Sequence, residues 1–174
     1  MNDQLFLLAC LGSVLSVAVY TDIYRNRIEN KLTFPAALIG MTLNAFLPNG
    51  LGFESALIGF LLGLVCFLPF YIAGGMAAGD VKLMGAVGAF VGFPLILKAV
   101  LISLICGSIL GIAWLVRFKG IGDFLHRYFL VGKHSLMTGS LQYIPPAKGT
   151  PALLRFPYAL AIACGTTVSL WMLS

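Results

Sequence analysis

Charge is what this chain has least of. Asp, Glu, Lys and Arg make up 10% of its 174 residues and hydrophobic residues 60%. An ordinary soluble domain carries roughly 25% charged residues. A soluble core of this length cannot hide so much apolar surface, which excludes a free-standing globular domain. Metal and redox motifs are also lacking. Cys10, Cys66, Cys106 and Cys164 all fall inside apolar stretches, and none forms a Cys-x-x-Cys pair, so they read as small packing residues. His126 and His134 have no partner motif, and Ser135 beside His134 is adjacency rather than triad geometry. No metal and no cofactor are expected. The net charge of +5 is explained by membrane topology and attraction to anionic lipid, so no nucleic acid partner is expected.

The apolar residues are gathered into six candidate spans, roughly 4–21, 33–47, 53–73, 81–93, 94–116 and 157–173. The first is preceded by Asn2, Asp3 and Gln4 rather than by basic residues, and no small-residue cleavage site follows it. It therefore reads as a retained span and not as a signal peptide. The fourth span is short and glycine-rich. Gly59, Gly63, Gly85, Ala86, Gly88, Ala89, Gly107 and Gly111 suit close helix–helix approach in lipid, and Pro94 suits the start of the fifth helix. Within 117–156, apolar residues recur at helical spacing from Ile121 to Phe129, which predicts a short interfacial helix. Residues 132–150 read as loop. The expected fold is all-α: one membrane-embedded domain, 1–174, with about six transmembrane helices and no internal repeat.

Six spans put the connections around Asp22, Asp80 and 117–156 on one face. Every Lys and Arg except Lys98 falls on that face, which the positive-inside rule makes cytoplasmic, with both termini outside. Only six acids occur in the chain, and two of them, Asp22 and Asp80, then lie at the same membrane boundary. An ionisable group at such depth is a functional-site hypothesis by default. Two carboxyls held close share a proton near neutral pH, so one accepts a proton from water while the other donates to a carbonyl. Asp22 ends helix one and Asp80 begins helix four, which favours Asp80 as the base and Asp22 as the acid. A helix cap is the bland alternative for Asp80. A proton-coupled transporter or channel, with the acids as relay groups, is the alternative of another class.

The segment 75–88, Gly-Met-Ala-Ala-Gly-Asp-Val-Lys-Leu-Met-Gly-Ala-Val-Gly, resembles the Gly-x-Gly-Asp signature of type IV prepilin peptidases. Asp22, followed by Arg25, Arg27, Ile28 and Asn30, is similar to that family's first aspartate with its Arg-x-Ile-Pro-Asn tail. The run from Pro157 and Tyr158 is similar to the start of the family's last helix. There are two departures: Ala77 stands in place of the first glycine and Glu29 in place of the proline. The resemblance implies a membrane aspartic endopeptidase with Asp22 and Asp80 catalytic. Its substrates would be prepilins or pseudopilins with short basic leaders, cut at the cytoplasmic face of a bacterial inner membrane. Preflagellin is the alternative client.

The resemblance also implies a short Tad/Flp-type member without methyltransferase activity, since no cysteine-containing region separates Asp22 from the second helix. Gly79 is expected to allow close approach of a substrate backbone, and Lys82 to anchor the boundary or position substrate. Arg25 and Arg27 are expected to set topology or pair with an acidic residue of the pilin. Asn30 is expected to cap helix two or brace the Asp22 loop. Membrane lipid is an expected partner, and self-association into a homo-oligomer stays open. The sidedness has a direct check. Alkaline phosphatase fused after Gly50 is expected to be active and fused after Arg117 inactive; the reverse pattern would invert the topology.

Overall fold

The computed structural model describes residues 2–117, 122, 129 and 157–172. Six helices follow one another among them: α1 Asn2–Arg25, α2 Asn30–Phe46, α3 Phe53–Ile72, α4 Ala78–Val91, α5 Leu95–Arg117 and α6 Tyr158–Trp171. The helix expected over 121–129 and the loop expected over 132–150 lie outside the described residues, apart from Gly122 and Phe129, which are helical. The chain divides into two compact units, 1–107 with 157–174, and 108–156. The candidate site belongs to the first.

Among the described residues, three helices are long and apolar enough to cross a membrane alone, over Asp3–Arg25, Phe53–Ile72 and Leu95–Trp114. The all-α fold with six helices is as expected, and the fourth, expected to be short and glycine-rich, is too short to cross alone. α4, with 14 residues, rises only about 21 Å against roughly 30 Å of hydrocarbon. It need not meet lipid, because every residue from Val81 to Val91 except Lys82 is buried. α4 touches α1, α2, α3 and α6. The lipid-facing work falls to side chains such as Leu57, Leu61, Val65, Leu68, Leu101 and Ile105, all exposed.

Small residues set the packing around α4. A methyl group at Gly59 would overlap the carbonyl oxygen of Gly88, and one at Gly63 the carbonyl oxygen of Met84. The two backbones therefore touch directly, the arrangement that small residues permit in membranes. Gly85 receives Leu64 and Phe60. Gly107 packs against Tyr158, while a methyl at Gly111 would meet nothing within 4 Å among the described residues. The expected role of Gly111 in close packing is not seen there.

Chain reversals follow local chemistry. α3 ends with Gly74 at φ 73°, the Gly74 N–H donating to Tyr71 O at 2.9 Å and the Gly75 N–H to Phe70 O at 2.9 Å. This is a Schellman ending, which asks for the left-handed conformation that glycine adopts freely. α1 ends at Asn26, φ 49°, whose N–H donates to Asp22 O at 2.9 Å; asparagine tolerates that region. Pro94 precedes α5 and its carbonyl accepts the Leu97 N–H at 3.1 Å.

At the end of the bundle away from Asp80, buried Asn44 clamps α2 to α4. Its amide nitrogen donates to Ala89 O at 2.9 Å, Phe90 O at 3.0 Å and Gly40 O at 3.2 Å. Its amide oxygen accepts the Leu51 N–H at 3.2 Å. Asn44→Leu would leave these groups without their partner, so a loss of about 1–3 kcal/mol is expected, measured as unfolding in detergent. Unchanged stability would show that the clamp carries nothing.

Candidate active site

Helices α1 and α3 run one way while α2 and α4 return. The C-terminal end of α1 therefore meets the N-terminal ends of α2 and α4, and α6 starts beside them. Asp22 and Asp80 sit at this shared end, 7% and 5% exposed respectively. So little exposure rules out the reading of either acid as merely solvated at a membrane boundary.

Asp80 occupies the first turn of α4. Its carboxylate accepts the Ala77 N–H at 3.0 Å, and its own N–H donates to Ala77 O at 3.1 Å. The acid thus reaches back over the N-terminus as in half of a capping box. Asp22 finds its donor much further away along the chain: its carboxylate accepts the Ala159 N–H of α6 at 3.0 Å. Pro157 precedes that turn and supplies no capping side chain, so Asp22 satisfies an otherwise orphaned N–H. The adjacent Tyr158 ring lies within electrostatic range of Asp80.

This geometry revises the argument from helix ends. Asp22 does close α1, but its carboxylate faces the N-terminal turn of α6. Each acid accepts a backbone N–H from a helix start, so helix direction no longer distinguishes base from acid.

The other expected residues fall around the pair. Gly79 approaches protein, not an open cleft: a methyl there would lie 3.0 Å from Ile28 Cβ and 3.3 Å from Ile28 O. Its smallness brings the 26–29 connection against the start of α4. Asn30 is the first residue of α2, after Glu29 at the cap position. Its side-chain oxygen accepts Lys82 Nζ at 2.8 Å instead of capping. Lys82, whose ammonium also lies 5.5 Å from the centre of the Phe34 ring, braces α4 to α2 on the face away from Asp80.

Arg25 pairs with Glu29 at 3.0 Å in an exposed i,i+4 bridge, worth little by itself, and Arg27 is exposed. Glu29 therefore has its charge matched locally. Its φ of −79° is one that proline also adopts. Ala77 has φ −85°, so glycine's freedom is not required there.

A family model described as the type IV leader peptidase family matches residues 9–112, more than half of the chain. The chain belongs to the type IV leader peptidase family. A similar protein is the prepilin leader peptidase/N-methyltransferase of Xanthomonas campestris pv. campestris, 34% identical over 100 residues, which cover 54% of this chain and 35% of that protein. The chain thus spans about a third of that relative's length. No solved structure matches.

In this family member, Tyr158, Phe67 and the Gly107 notch escaped sequence reading as site residues. Phe67 meets Tyr158 edge-on, ring centres 6.0 Å apart. The only sequence signal was an aromatic after Pro157. Contact between Gly79 and Ile28 can be tested against an open neighbour, since a methyl at Gly75 would meet only Phe70 O, at 3.4 Å. Gly79→Ala is expected to cost about 1–3 kcal/mol, as overpacking does, and Gly75→Ala close to nothing, both read by thermal unfolding in detergent. Equal stability of the two variants would refute the contact.

Proposed function

We propose that this protein is an aspartic endopeptidase that removes short basic leaders from type IV, Flp-like prepilins or pseudopilins. Its site faces the cytoplasm at a bacterial inner membrane. The observation that carries the reading is the burial of Asp22 and Asp80 at one end of the bundle, with Asp22 accepting the Ala159 N–H of α6. Membership of the family supports the substrate class. The relative's name includes prepilin leader peptidase.

The chemistry needs one proton shared by the pair. The ionised carboxylate takes a proton from water as the water oxygen attacks the scissile carbonyl carbon. The protonated carboxyl donates to the carbonyl oxygen, giving a tetrahedral gem-diol. A proton then passes to the amide nitrogen, the C–N bond breaks, and the shared proton is restored. No covalent enzyme intermediate forms. The reading is cleavage without methylation, and the short α1–α2 connection, residues 26–29, supports it.

The test is cleavage of co-expressed prepilins by wild type, Asp22→Asn and Asp80→Asn. Both variants are expected to insert normally and to lose at least about a hundredfold in rate, the low end of acid–base contributions. The new N-terminus is expected to carry no added methyl mass. Wild-type rates in either variant would remove that aspartate from the mechanism.

A further inference from the structure

Ala159 donates to Asp22 from the first turn of α6, so the axial position and rotation of α6 decide where the Asp22 carboxylate points. α6 has no side-chain cap of its own at this end. Its body packs against α1 and α4, while its first turn also meets α5. On α5, Ser103 and Gly107 lie one turn apart, on the same stripe. The Tyr158 hydroxyl donates to Ser103 O at 3.3 Å, and its ring fills the notch left by Gly107, where any methyl would overlap it. Phe67, fully buried on α3, closes the ring from another side with an interplanar angle of 76°. Two turns along α6, Gly165 packs directly on Ser103, which holds the two helices at backbone distance. Tyr158 is thus held by α3 and α5 together, next in sequence to the donor of Asp22.

We propose that Tyr158 is a positioning residue for the aspartate pair, an aromatic wedge that fixes the first turn of α6 so that the Ala159 N–H orients Asp22. The inference rests on reading Asp22 and Asp80 as the catalytic pair. Tyr158 itself exchanges no proton with substrate. The ring does the wedging, and the hydroxyl adds the tie to Ser103. Phenylalanine should therefore preserve most of the function and alanine should not. Asp80 lies within electrostatic range of the same phenol, so displacing the ring alters the surroundings of both acids.

The experiment compares wild type, Tyr158→Phe, Tyr158→Ala and Gly107→Ala in vesicles with a purified prepilin, alongside NMR amide exchange at Ala159 in detergent. Tyr158→Ala is expected to lower kcat by about a hundredfold, the scale of a one-ångström misplacement, with KM within about twofold of wild type. Its Ala159 amide should exchange faster while the Phe90 amide in α4 stays protected. Gly107→Ala should show the same pattern through crowding of the ring. Tyr158→Phe should restore kcat to within about tenfold of wild type and protect Ala159 again.

Wild-type turnover in Tyr158→Ala would overturn the proposal, as would lost turnover with Ala159 still protected. Where the alanine variant does not insert, Tyr158→Leu takes its place under the same criteria. If wild type itself cleaves no prepilin, the functional reading fails separately, and exchange at Ala159 alone decides whether the wedge exists.

Discussion

A short helix that begins with a carboxylate must be enclosed by protein if it is to sit in a bilayer, and the rest of this structure is arranged around that enclosure. α4 is too short to span and carries Asp80 in its first turn. Its companions reach it at backbone distance, Gly59 against Gly88 and Gly63 against Met84. No side chain intervenes, so the helix has little freedom to slide. Asn44 holds its far end, while Gly79 on Ile28 and Lys82 on Asn30 hold the near one. A polar clamp of this kind gains strength from low dielectric surroundings, where an unmade hydrogen bond is costly.

The two aspartates are satisfied by different means, and the difference matters for the proposed chemistry. Asp80 is bound locally, within its own turn, so its position is inherited from α4. Asp22 accepts from a helix that begins far along the chain, so its orientation depends on how α6 is seated against the bundle. Orientation of the pair is a property of the assembled bundle. The two departures from the family pattern leave that assembly intact, because Ala77 and Glu29 both sit at ordinary negative φ values and Glu29 has Arg25 as a neighbour.

Helix placement was legible to within a few residues, because runs of apolar side chains broken by Asn-Arg, Pro-Asn-Gly and Gly-Gly segments leave little choice. What misled was length. Residues 81–93 look like a weak span, whereas α4 is an internal helix whose apolar residues face protein on all sides. Hydropathy reports that a residue avoids water and is silent on whether lipid or protein receives it. Asn30 misled in another way: its residue type suits a cap, but a lysine on α4 competes for its oxygen. Asn44 gave no signal, since one asparagine in an apolar helix has the same sequence appearance whether or not carbonyls await it.

From sequence alone came the membrane class, the helix order and the pair of acids, because composition, periodicity and rare charges are properties of the chain taken residue by residue. Tertiary structure decided which donor reaches Asp22: the Ala159 N–H across the bundle. It also decided that Gly79 serves Ile28, and that Tyr158 lies between Gly107 and Phe67. These are contacts between segments distant in the chain. Their partners are selected by how closely glycine-lined helices approach one another, a quantity that exists only once the helices have packed.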